Sequence, residues 1–127
     1  MPETITGILL DDWEAMHDPP DGRLELIEGA TIMSASPRII HQEVARALAN
    51  RFDQLAAPDL KAVLDVEWRH LAADGEVVIS ALRPDVTVSR RSDLRGALYI
   101  SAPPVLAVEV LSTGDASASI AKRPVST

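Results

Sequence analysis

The chain has 127 residues, enough for one domain with a sheet and packed helices but short for two hydrophobic cores. Cysteine is absent, which excludes a disulfide framework and any zinc site built on thiolates. The net charge of −7 argues against sequence-independent binding of nucleic acid by bulk electrostatics. No stretch approaches the length of a membrane span and no basic leader precedes it, so we expect one cytoplasmic domain over 1–127.

The first thirty-five residues predict a short helix followed by a hairpin. Leu9–His17 has apolar residues near helical spacing, and Asp18–Gly22, with two prolines and a glycine, ends it. Two short apolar segments, around Leu24–Leu26 and Thr31–Met33, favour strands. Glu28-Gly29 between them is typical of a tight hairpin turn.

Ser36-Pro37 marks the start of the clearest predicted helix, because serine caps helices well and proline suits the first helical position. The helix is expected to continue to about Ala57, where Pro58 stops it. One apolar stripe is predicted from the three- and four-residue spacing of Ile40, Val44, Ala47, Leu48, Phe52 and Leu55. His41 lies at the edge of this stripe, where a partly buried structural histidine is the ordinary interpretation and a catalytic one the alternative.

The second half of the chain predicts strands. Leu60–Leu71 alternates like a single strand, and Asp74-Gly75 turns it into a second strand at Glu76–Ile79. Arg83–Ser89 predicts another strand, and a final helix is expected from about Asp115 to Lys122. Between them, the arginine-rich segment 90–95 is interpreted as a solvated loop, with a phosphate-contacting loop as the alternative.

Val105–Leu111 places one carboxylate, Glu109, among six apolar residues. A Val- and Leu-rich run without polar alternation favours a central, parallel-type strand covered on both faces. An unpaired buried carboxylate would cost several kcal/mol, so Glu109 must meet water, a cation or a donor. A functional carboxylate and a structural ion pair both satisfy that need. The predicted helix is expected to pack on this strand, with Ile40, Val44, Leu48 and Phe52 beside Leu106, Val108 and Val110.

Asp85 heads the predicted strand before this one, twenty-four residues ahead of Glu109. Two carboxylates on adjacent strands can hold Mg²⁺, which takes oxygen ligands and usually keeps several waters. Such a cation lowers the pKa of bound water and stabilises charge on a reacting phosphate. The spacing alone is a weak signal, because an acidic protein offers many such pairs.

Taken in order, several motifs resemble those of the Uma-two family, bacterial proteins assigned to the PD-(D/E)xK nuclease superfamily. They are Arg23-Leu24-Glu25-Leu26-Ile27-Glu28-Gly29, Met33-Ser34, Ser36-Pro37 leading to His41, Arg83-Pro84-Asp85-Val86 and Val108-Glu109-Val110-Leu111-Ser112. The resemblance implies an α/β fold with a restriction-endonuclease-like core, a mixed β-sheet flanked by α-helices, and DNA as substrate. It also implies Mg²⁺ held by Asp85 and Glu109, with Glu25 and His41 as further site residues.

Three features depart from the family pattern. Leu111 stands where the superfamily's lysine usually follows the acidic residue. In the family that the motifs resemble, the basic residue tends to come from the following helix, and this implies Lys122 as the candidate. Ala118 occupies the place of an acidic residue often found one turn before that lysine. Family members normally continue beyond Thr127, so the chain is expected to lack a C-terminal part of the domain.

Three functions therefore stay open at the level of sequence. The first is a Mg²⁺-dependent endonuclease, in which Lys122 steadies the charge developing on phosphate. The second is a catalytically inactive remnant that acts as a structural or interaction domain, and the third is a small-molecule or carboxylate-binding module. A homodimer would suit duplex cleavage by a subunit with one site, although nothing in the pattern locates an interface.

Overall fold

A computed structural model of the protein describes residues 6–111. The regular elements, in chain order, are β1 (Ile8–Leu9), α1 (Leu10–Ala15), β2 (Gly22–Ile27), β3 (Ala30–Ala35), α2 (Ile39–Leu55), β4 (Leu60–Leu64), β5 (Trp68–Leu71), β6 (Val77–Leu82), β7 (Val86–Arg90), α3 (Arg91–Leu94) and β8 (Leu106–Val108). The predicted final helix, with Lys122, lies outside the described residues. Within them, no helix is long and apolar enough to cross a membrane.

The strands form two sheets whose ladders are antiparallel. The first sheet has the order β1-β6-β2-β3, with β5 also paired to β6, and the second has the order β4-β7-β8. A parallel bridge between Trp68 and Ile100 adds a contact outside these ladders. The predicted α/β class, with sheet and flanking helices, is confirmed.

The β2–β3 hairpin is confirmed as the sequence predicts it. Leu24 pairs with Met33 and Leu26 with Thr31. At the turn, Glu28 has φ of 45° and Gly29 has φ of 83°. Positive φ at both central residues matches the right-handed twist of paired strands, which is why glycine serves in this position.

Helix α2 begins later than predicted. Its first residue is Ile39 and the capping position is Arg38, which makes no side-chain capping hydrogen bond. The expected serine cap at Ser36 with Pro37 in the first turn is therefore wrong, and the chain stays extended for two more residues. Local propensity favours a cap without fixing which residue the tertiary contacts use as one.

The buried face of α2 also differs from the predicted stripe. Ala45 and Ala49 are buried against Ala62, Val86 and Val88, and Leu48, Phe52, Val108 and Val110 pack around this cluster. Ile40 and Val44 are exposed, at 64% and 41% of their surface. As predicted, Leu48 and Phe52 pack against the cluster that Val108 and Val110 also contact. The prediction is wrong for Ile40 and Val44, and Leu106 is 42% exposed. Small alanine side chains let the helix approach the sheet closely, so the larger residues at the edge of that contact need not be buried.

The predicted strand Leu60–Leu71 is two strands. Asp65 has φ of 51°, a left-handed conformation that interrupts the pleat. Before this break β4 pairs with β7, and after it β5 pairs with β6, so the two halves belong to different sheets. The predicted hairpin is correct for the second half alone.

The apolar segment around Glu109 is not a central parallel strand. Strand β8 pairs antiparallel with β7 and lies at the edge of its sheet among the described residues. Val105 and Leu106 are 55% and 42% exposed. Strand β7 is the central one, and its residues 86–89 are all buried. An apolar run does not encode strand direction. The central position of β7 is not evident from its sequence, because Thr87 and Ser89 alternate with Val86 and Val88 as in a strand with one polar face.

Two alanines of α2 test the orientation of the helix. Leucine at the buried Ala49 would overpack the contact with β7 and should lower the free energy of unfolding by about 1–3 kcal/mol. The same change at the exposed Ala47 should alter it by less than about 0.5 kcal/mol. Urea unfolding of Ala49→Leu and Ala47→Leu measures both. Equal losses would contradict this orientation.

Asp53 joins the end of α2 to β4. Its Oδ1 accepts a hydrogen bond of 2.9 Å from the Ala62 N–H, and its Oδ2 accepts one of 3.1 Å from Lys61 Nζ. The bond from Ala62 lowers the pKa of Asp53, with Lys61 adding to the effect against partial loss of hydration.

Asp53→Ala should therefore destabilise the protein in a pH-dependent manner. At pH 7 we expect a loss of about 1 kcal/mol. Because the folded-state pKa is depressed, this contribution is present above the unfolded-state pKa of about 3.9 and is lost as pH falls through the folded-state value. Unfolding of wild type and variant at pH 7 and pH 3 measures the difference, which should shrink at the lower pH. A constant difference would show that the carboxylate's charge is not involved.

Candidate active site

Asp85 and Glu109 meet where β7 begins and β8 ends. Val86 pairs with Val108 in the antiparallel ladder. Asp85 directly precedes β7 and Glu109 directly follows β8, so continuation of this register places them opposite each other. Residues opposite each other on paired strands share a face, which is how the fold brings two distant carboxylates into one site.

Asp85 is buried and held by several donors. The backbone N–H of Val110 donates to Oδ2 at 2.6 Å, and His41 Nε2 lies 3.0 Å from the same oxygen. A carboxylate can only accept a hydrogen bond, so this contact requires a proton on Nε2. Arg23 approaches the other oxygen, with its terminal nitrogen 3.8 Å from Oδ1. These contacts fix the orientation of the Asp85 side chain.

Glu25 lies on β2 and is oriented by two donors of its own. Ser34 Oγ on β3 donates to Oε1 at 3.0 Å, and the backbone N–H of Arg83 donates to Oε2 at 2.8 Å. Arg83 lies two residues before Asp85, so this bond ties β2 to the start of β7. Glu25 thus lies near Asp85 although it belongs to the first sheet.

Glu109 carries the clearest electrostatic signature of the site. Loss of hydration at the carboxyl group, followed by repulsion from Asp85 and Glu25, raises the pKa of Glu109 to about 7, against an opposing effect of Arg23. The residue as a whole remains exposed. The negative charges of Asp85 and Glu25 therefore disfavour ionisation of Glu109.

Arg23 belongs to the same site, although the sequence did not predict a role for it. It forms an ion pair with Asp65 and approaches Asp85, and its side chain is only 11% exposed. Arg23 precedes Glu25 by two residues on β2, so the two side chains emerge from one face of the strand. That period of two places Arg23 on the same face as Glu25, but it does not reveal the contacts with Asp65 and Asp85.

The structure brings together four of the five predicted site residues: Glu25, His41, Asp85 and Glu109. Lys122 lies outside the described residues. The arginine-rich segment forms the short helix α3 rather than an open loop, and it follows β7 at the end opposite Asp85. Five residues of strand separate the two by about 17 Å, so α3 is not part of this site.

A larger cavity of about 370 Å³ lies against Trp13 and Leu24. Its charged groups pair with one another: Arg69 bonds to Glu14 and Glu67, and Arg83 bonds to Asp18. Leu24 alternates with Arg23 and Glu25 along β2, so this cavity opens on the other face of the strand. We therefore place the candidate site at Asp85 rather than in the larger cavity.

The donor set of the site suits a hard cation. Within residues 6–111, no group of three or more histidine or acidic side chains is arranged to hold a metal ion. Mg²⁺ needs fewer protein ligands, since one or two carboxylates and several waters are its usual shell. Asp85 and Glu109 supply two carboxylates side by side, and their mutual repulsion is what a divalent cation relieves.

This repulsion predicts that the site costs stability when no metal is bound. Glu109→Gln removes one negative charge beside Asp85 and Glu25 and should raise the melting temperature in EDTA at pH 8. Glu43→Gln is the control, because Glu43 is an exposed residue of α2. Differential scanning calorimetry compares the two, and a Glu109→Gln variant no more stable than Glu43→Gln would contradict the crowding of charge.

Comparison with known proteins supports a nuclease-type fold. A solved structure with a TM-score of 0.68 and 19% sequence identity is described as a "putative nuclease belonging to DUF820" from Anabaena variabilis. The match covers 91% of this chain and 64% of that one, so this chain spans under two thirds of that protein's length. Among curated proteins, none matches the sequence. The Uma2 family model, described as "Putative restriction endonuclease", matches residues 10–125. The chain therefore belongs to the Uma2 (Uma-two) family.

Proposed function

We propose that the protein is a Mg²⁺-dependent endonuclease that hydrolyses DNA phosphodiester bonds. The observation that carries the proposal is the proximity of Asp85 and Glu109 across the β7–β8 ladder. The charge of Glu25 also raises the pKa of Glu109. Family membership and the likeness of fold support the reaction class, and the carboxylate arrangement supports the choice of metal.

Each side chain has a proposed role. Asp85 and Glu109 would hold Mg²⁺, and Glu25 is a third acidic group that orders water beside it. When bound, the metal supplies an activated water and positive charge for the phosphate. His41 is proposed as a positioning residue, because its Nε2 lies 3.0 Å from Asp85 Oδ2 and holds that carboxylate in place.

Lys122 remains the proposed cation of the reaction, to be tested directly. It would stabilise the negative charge that accumulates on the cleaved phosphate. A cytoplasmic location and a two-fold dimer on duplex DNA also remain proposals, the dimer because one subunit offers one such site.

Mg²⁺ binding provides a test that does not depend on activity. Mg²⁺ should raise the melting temperature of the wild type, since it binds the folded state alone. The shift should disappear in Glu109→Gln and in Asp85→Asn. Asp93→Asn on α3 makes the same change of charge as Asp85→Asn away from the site and should keep the shift. Because Asp85 is buried, Glu109→Gln is the decisive variant if Asp85→Asn fails to fold, and an undiminished shift in it would contradict the metal assignment.

Nicking of supercoiled plasmid then tests the reaction itself. Wild type with Mg²⁺ should convert plasmid to open circles, and EDTA should prevent this. His41→Ala should lower the rate by about 10–100-fold through the loosened Asp85. Lys122→Met should abolish nicking while the Mg²⁺-induced shift is retained. Mg²⁺ binding without nicking by the wild type would favour the inactive-remnant alternative.

A further inference from the structure

A second, smaller cleft of about 190 Å³ lies beside Asp85, on the side of α2. The polar side chains that line it are Arg23, His41, Gln42, Arg46, Asp65 and Asp85. His41 and Gln42 belong to the first turn of the 17-residue helix α2. The N-terminal end of such a helix carries partial positive charge, which favours an anion nearby.

The charges around this cleft are unevenly compensated. Asp65 and Asp85 both face Arg23, and Asp85 has His41 and the Val110 N–H as additional partners. Arg46 also lines the cleft, and it has no ion pair among the described residues. Arg23 Nε is buried without an acceptor in the same part of the chain. Arg46 therefore keeps a guanidinium that no carboxylate of residues 6–111 engages.

We propose that Arg23 and Arg46 form a phosphate subsite for the nucleic-acid strand, adjacent to the carboxylates. This inference rests on the proposed endonuclease function and names the groups that hold the substrate there. A guanidinium presents a planar fork of donors that matches two phosphate oxygens. A phosphate in the cleft would contact Arg46 directly and would compete with Asp65 for Arg23. The α3 arginines, at the far end of β7, do not serve this subsite.

The subsite can be tested first with inorganic phosphate alone. In NMR spectra of the full chain, phosphate should shift the Nε–Hε resonances of Arg23 and Arg46. The resonance of Arg51, which lies on the same helix and bonds to Gln54, should stay in place. Sodium chloride at equal ionic strength is the control for screening. Absent shifts, or equal shifts at all three arginines, would overturn the subsite.

Binding of a short oligonucleotide in EDTA, where no metal-dependent cleavage occurs, tests the source of the phosphate. Arg46→Gln should weaken binding and reduce the slope of log K against log salt by about 1. Arg51→Gln makes the same change of charge on the same helix and should leave the slope at the wild-type value. Asp65→Asn should tighten binding, because it releases Arg23, and asparagine tolerates the left-handed φ of 51° at this position.

These outcomes separate the subsite from the nuclease proposal. Equal binding by Arg46→Gln and Arg51→Gln would overturn the subsite even if plasmid is nicked. A response to inorganic phosphate with no effect of Arg46→Gln on oligonucleotide binding would overturn its assignment to nucleic acid. Selective loss of oligonucleotide binding in Arg46→Gln supports the subsite, and absent nicking would then count against the reaction alone.

Discussion

The site depends on how the Asp85 carboxylate is held inside the protein. A buried carboxylate is costly unless donors or opposite charges compensate it. Here a backbone N–H and an imidazole contact Asp85 at hydrogen-bond distance, and the Arg23 guanidinium lies 3.8 Å from it. The three groups come from the segment just after β8, from α2 and from β2. One side chain therefore fixes the relative positions of both sheets and the helix, and this ties the geometry of the site to the integrity of the fold.

The packing of α2 explains how His41 reaches that carboxylate. Ala45 and Ala49 let the helix lie close to β7, and His41 is one turn before Ala45 on the same face. A helix held farther away by larger side chains would leave the imidazole out of hydrogen-bonding reach of Asp85. Ala45 and Ala49, which the predicted apolar stripe leaves out, are thus as important for the site as for the core.

Charge at this site is arranged at the expense of stability. Loss of hydration, followed by repulsion from Asp85 and Glu25, raises the pKa of Glu109 to about 7. Arg23 offsets part of that repulsion, while it also faces the neighbouring cleft. A protein selected for stability alone would separate these carboxylates. Side chains with strongly shifted pKa values cluster at functional sites, so the proximity of these carboxylates indicates a function.

The sequence by itself determined the local features: the β2–β3 turn, the existence of α2, and the acidic and histidine residues that the family motifs mark. Those features follow from short-range backbone preferences and from residue type. Only the tertiary structure decided that β8 is an antiparallel edge strand, that α2 buries its alanines, and that Arg23 joins Asp85. Strand direction, helix rotation and cross-sheet ion pairs depend on contacts between residues far apart in the chain, and those contacts leave no periodic trace in the residues themselves.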